Sequence, residues 1–371
     1  MSDKVDLRLG SNEIRLSPRE WLIALVIIGA FLGLTPLVWK AVEPLRIEPN
    51  HRIPYALSAD YWTYSRLCRA ACDQGKVPIV GDSVVWGHFV AKDQTLSAHL
   101  NRLAGEERFA NLGVDGIRPA AMEGLVQYHA QAISGRSVLL HSNLLWMSDA
   151  RADLQDRKEV ALNHPTLVPQ FSPNIPSYRE TYSNRLGIVI ERRIPFHAWK
   201  KHMQIAYFQS QDLPTWTGEH PYENPLRAIT LELPSASDPP PDANAGSWRQ
   251  RGLAPSNPPW VELETSIQWL CFRRTIATLQ GRGNRVFVLV GPFNEHMLMP
   301  ESLELYKRVK MEIEAWLQEE NIPYLIPPAL PSELYADSSH PLAEGYALLA
   351  KRLSENDAFA RFTHPEKGNT K

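Results

Sequence analysis

Short apolar runs alternate with amphipathic stretches along most of the chain. Each run is four to seven residues long, rich in Val, Ile and Leu, and bounded by turn-forming residues, which is typical of a buried strand. Strand, turn and helix in alternation predict a parallel sheet with crossover helices. The predicted strands are 77–80, 108–111, 137–143, 285–290 and 322–326, and the predicted helices are 58–73, 96–104, 119–133, 261–280, 303–320 and 342–353.

The alternation is interrupted between residue 148 and about residue 260. Pro, Asn, Asp and Trp occur there without clean periodicity, and 235–259 consists almost entirely of turn formers. This predicts a long irregular insertion in a single α/β domain at 58–362, with a helix of its own at 195–209. A short C-terminal tail, 363–371, follows the domain.

One stretch near the N-terminus is apolar throughout. Residues 21–38 carry no charge, and a helix of that length crosses most of a ~30 Å hydrocarbon core. Trp21 and Trp39 flank the stretch as interfacial residues do. We therefore predict an uncleaved transmembrane anchor at 21–39, a tail at 1–20 and a linker at 40–57. A cleaved signal peptide is the alternative, but 37–41 lacks a small-x-small cleavage site.

Basic residues favour one orientation of this anchor, although the bias is slight. Four precede the span and three follow it closely: Lys4, Arg8, Arg15 and Arg19, then Lys40, Arg46 and Arg52. A short N-terminal tail usually stays in the cytoplasm. We predict a single-pass cell-membrane protein with its domain outside the cytoplasm, in the periplasm if the cell is Gram-negative.

Composition excludes several other classes of protein. The formal net charge of −2, without a basic run interleaved with aromatics, gives no basis for nucleic-acid binding. Three cysteines do not form a disulfide framework.

His197 and His202 are five apart, so a helix does not place them together for a metal ion. The Gly-Arg-Gly-Asn sequence at 281–284 lacks the third glycine of a dinucleotide loop. We predict no metal and no cofactor.

Polar residues at the predicted strand ends suggest acyl transfer. Ser83 follows the first strand, and the carboxyl edge of an open α/β sheet is where ligands bind. Asp337 lies three residues before His340 in the loop before the last helix, where a carboxylate can hold an imidazole in one tautomer. A capping Asp beside a surface His is the alternative.

Gly116 and Asn143 end two further strand regions and can donate to an oxyanion. Asn294 follows the fourth strand and either lines the pocket or is an ordinary loop residue.

Four sequence blocks together resemble the SGNH/GDSL hydrolase superfamily. The resemblance covers 77–143 and 285–353; the third block lacks the usual Asp after Asn, and Val84 replaces the usual Leu of the first. It implies a three-layer α/β/α flavodoxin-like fold. It implies Ser83 as nucleophile, His340 as base and Asp337 as its orienter, with an oxyanion hole formed by Ser83 N–H, Gly116 N–H and the Asn143 side chain. The blocks are Gly-Asp-Ser at 81–83, Asn-Leu-Gly-Val-Asp-Gly at 111–116, Ser-Asn at 142–143 and Asp-Ser-Ser-His-Pro-Leu-Ala-Glu-Gly-Tyr at 337–346.

The departures and the anchor resemble divergent, membrane-anchored branches of that superfamily. These include proteins resembling alginate O-acetyltransferases and teichoic-acid D-alanylation factors. The resemblance implies a serine esterase or O-acyltransferase acting on an acylated glycan or envelope polymer, beside a multi-spanning membrane acyltransferase. Hydrolase and transferase share the acyl-enzyme, so the residues do not separate them. A non-catalytic SGNH-shaped binding or assembly partner is the alternative. Four tryptophans of the insertion provide either sugar-stacking faces or local core: Trp199, Trp216, Trp248 and Trp260.

Overall fold

A parallel five-stranded sheet organises the chain. The computed structural model describes residues 16–237, 242 and 245–363. Its strands are β1 (Val77–Gly81), β2 (Phe109–Gly113), β3 (Ser137–Ser142), β4 (Arg285–Val290) and β5 (Tyr324–Leu325). They lie in the order β2-β1-β3-β4-β5, the doubly wound order of flavodoxin-like folds. The predicted α/β class and flavodoxin-like sheet are confirmed.

Thirteen α-helices occur in the described residues. They are α1 (Pro18–Val42), α2 (Tyr61–Asp73), α3 (Ser83–Trp86), α4 (Leu96–Ala104), α5 (Pro119–Gly124), α6 (Tyr182–Glu191), α7 (Pro195–Tyr207), α8 (Leu213–Glu219), α9 (Pro225–Ala228), α10 (Ile267–Gly281), α11 (Pro300–Glu319), α12 (Ala343–Ser354) and α13 (Asp357–Thr363). A π-helical turn, Leu125–His129, follows α5 directly.

The sheet is buried on both faces, which explains its nearly continuous apolar strands. Successive strand residues point to opposite sides. Leu140 and Val288 pack in a core with α2, α5, α10 and α11. Leu139 and Phe287 pack in a second core with α4, α12 and α13. These two cores make the three layers of the α/β/α sandwich.

Several predicted elements differ in extent from those observed. The predicted helix at 119–133 ends as α5 at Gly124 and continues as the π turn. The helix expected from 261 begins at Ile267, because Ser266 caps it by accepting from Trp269 N–H at 3.0 Å. The last strand shortens to two residues. Helix α13 was not predicted, and its Phe359 packs edge-on to Phe287.

The C-terminal end of the expected linker, 40–57, packs into the domain. Arg52 is buried and donates to the carbonyl oxygens of Trp86 (3.0 Å) and Gly87 (2.8 Å). Its guanidinium lies 4.0 Å from the centre of the Trp86 ring, and Ile53 O accepts from Trp86 Nε1 at 2.8 Å. These partners lie more than thirty residues further along the chain, so no local pattern near Arg52 indicates its burial.

Helix α1 is longer than the predicted anchor and projects from the domain. Ser17 and Glu20 form a capping box at its start, and Pro36 is its one buried residue. It is the one helix in the described chain that is long and apolar enough to cross a membrane. Such a helix fits a membrane anchor or a signal sequence.

A buried charge cluster connects α1 to the domain. Glu43, directly after α1, accepts from His202 Nε2 at 2.7 Å, and His202 Nδ1 donates to Asp60 at 2.7 Å. Tyr207 and Arg66 also donate to the Glu43 carboxylate. Burial opposes the charge of Glu43, but its hydrogen bonds and the neighbouring cations outweigh burial and lower its pKa to about 2. Burial likewise opposes the charge of His202, but its two carboxylate partners raise its pKa to about 9.

Removing His202 should destabilise the protein strongly. His202→Ala leaves Glu43 and Asp60 without their shared cation, and breaking a buried charge pair costs about 3–5 kcal/mol. Chemical unfolding of the purified chain in detergent measures this loss. His197→Ala is the matched control, since this partly exposed side chain of α7 lies 3.6 Å from exposed Glu191 and against the ring of Phe196, outside the cluster. An equal effect of the two substitutions would contradict the role of the cluster.

The same cluster predicts how the destabilisation caused by His202→Ala depends on pH. A raised His202 pKa supplies stability that is complete below 6.5 and is lost as pH rises through about 9. A lowered Glu43 pKa supplies stability that is complete above 4.5 and is lost as pH falls towards about 2. The destabilisation caused by His202→Ala should therefore be largest between pH 4.5 and 6.5 and shrink at alkaline pH.

Candidate active site

The turn after β1 places Ser83 at the carboxyl edge of the sheet. Asp82 caps the short helix α3 by accepting from Val84 N–H at 3.0 Å, so that Ser83 is its first residue. This helix lies against the end of β2. A Cβ on Gly113 would lie 2.4 Å from Trp86 N, so glycine there permits the close approach. Ser83 is 6% exposed.

Ser83, His340 and Asp337 meet in a hydrogen-bonded chain. Ser83 Oγ lies 2.8 Å from His340 Nε2, and His340 Nδ1 lies 2.8 Å from Asp337 Oδ2. Because the carboxylate only accepts, Nδ1 must carry the proton there and Nε2 is left to accept from the serine hydroxyl. This is the arrangement in which imidazole acts as the general base of a serine nucleophile.

The charges of Asp337 and His340 stabilise each other. Burial opposes ionisation of Asp337, but the charge of His340, its hydrogen bond and two backbone N–H donors outweigh burial and lower the Asp337 pKa to about 2. Burial also opposes the charge of His340, but Asp337 outweighs it and raises the His340 pKa above its ordinary value. A carboxylate in this position stabilises the positive charge of an imidazolium at His340.

Asn294 holds the loop that carries Asp337. It is fully buried, donates through Nδ2 to Asp337 O at 3.0 Å, and its backbone N–H donates to Ser338 O at 2.8 Å. These contacts give Asn294 a structural role in the loop, and its lining of a pocket stays a prediction. The same loop closes on itself where Ala336 N–H donates to His340 O at 2.9 Å.

Asp82 is a part of the site that the sequence did not predict. Its buried carboxylate accepts from Asn143 Nδ2 at 2.7 Å and from Trp146 Nε1 at 2.9 Å. His141 Nδ1 is 3.2 Å from Asp82 Oδ1 without the geometry of a hydrogen bond. Burial opposes ionisation of Asp82, but the nearby imidazole and amide outweigh it and lower its pKa. The signal for it in the sequence is the carboxylate inside the Gly-Asp-Ser block at 81–83.

The Asn143 amide contacts the carboxylate of Asp82, the residue before Ser83, and the hydroxyl of Ser339. Its Nδ2 donates to Asp82 and is 3.3 Å from Ser339 Oγ, while its Oδ1 accepts from Leu145 N–H. The structure thus brings Asn143 to the predicted site without directing its amide to a substrate. Its role in an oxyanion hole remains a prediction.

Gly116 lies on the loop after β2 in a left-handed conformation, with φ of 68°. This positive φ strains any residue with a side chain, and a Cβ there would lie 2.2 Å from Nδ2 of Asn163, which would have to move. Residues of the insertion border this loop, because His164 Nε2 donates to Asp115 O at 2.9 Å. The participation of the Gly116 N–H in an oxyanion hole also stays a prediction.

The insertion also borders the histidine side of the site. The Phe89 ring packs edge-on to His340 with centroids 5.2 Å apart, and the Arg251 guanidinium lies 4.6 Å from the Phe89 ring centre. Arg251 donates to Ala336 O at 3.1 Å, beside the catalytic loop. A second histidine, His88, lies 5.7 Å from His340 between ring centroids and is paired with Asp115 at 2.6 Å.

The four tryptophans of the insertion belong to local cores. Trp216, Trp248 and Trp260 are buried, and Trp199 packs against Trp39 of α1. Of the two interpretations left open, local core is the one that the structure supports. Within the described residues, no group of three or more His, Cys, Asp or Glu side chains is arranged to hold a metal ion.

Comparisons with known proteins add a likeness in structure. No family model matches the chain, and no curated protein matches it. It is similar to the solved structure of a protein described as a lipolytic protein of the G-D-S-L family from Desulfitobacterium hafniense DCB-2. The match covers 78% of this chain and 99% of that chain, with 11% sequence identity and a TM-score of 0.35.

Proposed function

We propose that the protein is a membrane-anchored serine esterase or O-acyltransferase. The observation that carries this proposal is the continuous chain from Ser83 Oγ through His340 to Asp337, with both links at 2.8 Å. A capping Asp beside a surface His does not require a buried serine at the distal ring nitrogen. Nucleophile, base and orienting acid in this order are the requirements of covalent acyl transfer.

The proposed order of bond changes follows the chain of hydrogen bonds. Ser83 Oγ attacks the carbonyl carbon of an ester while its proton moves to His340 Nε2. The tetrahedral intermediate collapses, its bond to the alkoxide oxygen breaks, and His340 returns the proton to that leaving oxygen. Water or a sugar hydroxyl then attacks the acyl-enzyme, giving its proton to His340, and Ser83 is released with its hydrogen restored.

The proposed substrate class rests on the apolar helix α1 and on the four sequence blocks. A helix that fits a membrane anchor would keep Ser83 near a bilayer, and the four blocks resemble SGNH proteins of the cell envelope. We infer an acylated glycan or envelope polymer as substrate, on the extracytoplasmic side of the cell membrane. A multi-spanning membrane acyltransferase is the proposed partner, since it would supply or receive the acyl group across the membrane.

Active-site labelling tests this function. A fluorophosphonate probe should label the folded wild-type protein at Ser83 and should leave Ser83→Ala unlabelled, because phosphonylation needs the activated hydroxyl. Mass spectrometry of the labelled peptide identifies the residue. Absence of labelling in well-folded wild-type protein would favour the alternative, an SGNH-shaped binding or assembly partner with an inactive site.

Incubation of the purified full-length chain with acetylated donor esters separates hydrolase from transferase. With an oligosaccharide acceptor present, a transferase should give acetylated sugar as the main product, whereas a hydrolase should give acetate at the same rate with or without acceptor. Mass spectrometry measures both products.

A further inference from the structure

Helix α6 carries an exposed apolar stripe. Tyr182, Leu186 and Ile190 follow one another at four-residue spacing and are 73%, 44% and 52% exposed. Residues at this spacing lie on one face of a helix. Arg185 ties α6 to the domain by donating to Gln170 O and Tyr178 O. The stripe is thus a fixed surface feature of the folded domain.

The next helix packs along α1. The rings of Phe196 and Phe31 have centroids 5.6 Å apart, and those of Trp199 and Trp39 are 6.0 Å apart. Helix α7, the second part of the α6–α7 hairpin (defined here as residues 182–201), therefore lies beside α1 between Phe31 and Trp39. Its position relative to α1 fixes its position relative to any bilayer that α1 crosses.

The length of α1 places the start of α7 at membrane depth. From Pro18 to Phe31 the helix rises only ~20 Å, at 1.5 Å per residue. A hydrocarbon core is ~30 Å thick, so a spanning α1 must continue within the bilayer to about Val38. Charge-free sequence indeed extends to Trp39, and Lys40 follows it. Phe196, at the level of Phe31, then lies within the membrane boundary.

The charges of the hairpin fit an anionic lipid surface. Between 182 and 201 there are five basic residues and one acidic residue. Arg193, Lys200 and Lys201 are exposed, and the two lysines follow Trp199, at the level of Trp39. Basic residues beside an apolar stripe are typical of segments that lie in the headgroup region of a bilayer.

We propose that the α6–α7 hairpin is a second membrane-binding element, which docks on the anionic leaflet that α1 leaves. Tyr182, Leu186 and Ile190 insert at the boundary between headgroups and acyl chains, and the exposed cations contact lipid phosphates. Two attachments in place of one fix the orientation of the domain, so that Ser83 has a defined direction towards the membrane. This inference rests on the proposed anchoring by α1.

Depth-dependent fluorescence quenching tests the docking in the full-length chain. Single cysteines replace Ile190, Val26 and Met311 and carry an environment-sensitive fluorophore. The native cysteines, Cys68, Cys72 and Cys271, are buried and free. The protein is reconstituted in phosphatidylcholine–phosphatidylglycerol vesicles that contain nitroxide lipids, with the nitroxide either shallow or deep. Met311 is the matched control, 62% exposed on α11, which leads to the β5 edge of the sheet.

The three labels distinguish the inference from its premise. We expect quenching of Val26 by deep nitroxides, quenching of Ile190 by shallow nitroxides severalfold above that of Met311, and a blue-shifted Ile190 emission in vesicles. Quenching of Val26 with an Ile190 signal equal to that of Met311 would overturn the docking and leave the anchor in place. An unquenched Val26 would overturn the anchor and the docking with it. A blue-shifted Ile190 label that no lipid nitroxide quenches would indicate a protein contact and would also overturn the proposal.

Discussion

Ser83→Ala should lower kcat for hydrolysis of a p-nitrophenyl ester by roughly 10⁶-fold, the size of effect seen when a triad serine is removed. The physical reason is the loss of the acyl-enzyme route, since His340 Nε2 then has no hydroxyl to deprotonate at its 2.8 Å contact. His340→Ala should cost nearly as much. The double variant should be no slower than either single variant, because the two groups act in one step. Steady-state kinetics with the purified chain in detergent gives these values.

The matched control for this series is Ser338→Ala. Ser338 is on the same loop as His340, but its hydroxyl contacts Met297 Sδ at 3.9 Å. Its turnover should stay within a few-fold of wild type. Retained wild-type turnover in a folded Ser83→Ala protein would exclude Ser83 as nucleophile. Independent, multiplicative losses in the double variant would exclude a shared step.

Much of the fold followed from local pattern because strands buried on both faces are continuously apolar. The runs at β1 and β4 therefore had clear limits, and the amphipathic helices between strands gave the parallel topology. Elements stabilised by distant partners were less predictable. Helix α13 is held by the contact of Phe359 with Phe287, and Arg52 is buried only because the carbonyl groups after β1 face it.

The residues of the site were predictable to the extent that topology brings strand ends together. Ser83 follows β1 and Asn143 follows β3, its neighbour in the sheet, so their proximity follows from a parallel order. The network around Asp82 was not predictable, because Asn143 and Trp146 reach it through side-chain directions that no pattern encodes. Burial of Asn294 likewise depends on the path of the Asp337 loop.

Asp82 also bears on whether the site is catalytic or vestigial. An aspartate usually follows the third-block asparagine in the superfamily that the sequence resembles, and here Leu144 stands at that place. The Asn143 side chain is nevertheless fixed by Asp82 and Ser339. With Leu144 in that place, Asn143 still has two side-chain partners, and we interpret this as favouring the proposed enzyme over the non-catalytic alternative.

Asp337→Asn should lower kcat by about 10⁴-fold while the fold is kept, because an amide at 337 can donate to His340 Nδ1 and favour the tautomer with its proton on Nε2. That tautomer cannot accept the Ser83 proton. The same substitution removes the main contribution that raises the His340 pKa, and burial, which lowers it, remains. A profile of kcat/KM against pH measures both effects in one series.

The direction of the pH effect follows from the protonation state that the reaction needs. Neutral His340 is the base, so wild-type kcat/KM should fall as pH decreases through a His340 pKa above 6.5. This decrease is the acidic limb of the pH profile. Asp337 has a pKa of about 2 and stays ionised over the limb, so the limb reports the protonation of His340. In Asp337→Asn the limb should move to lower pH. Asp93→Asn, at an exposed carboxylate, should leave rate and limb unchanged. An Asp337→Asn protein with the wild-type rate and limb would show that Asp337 does not orient His340.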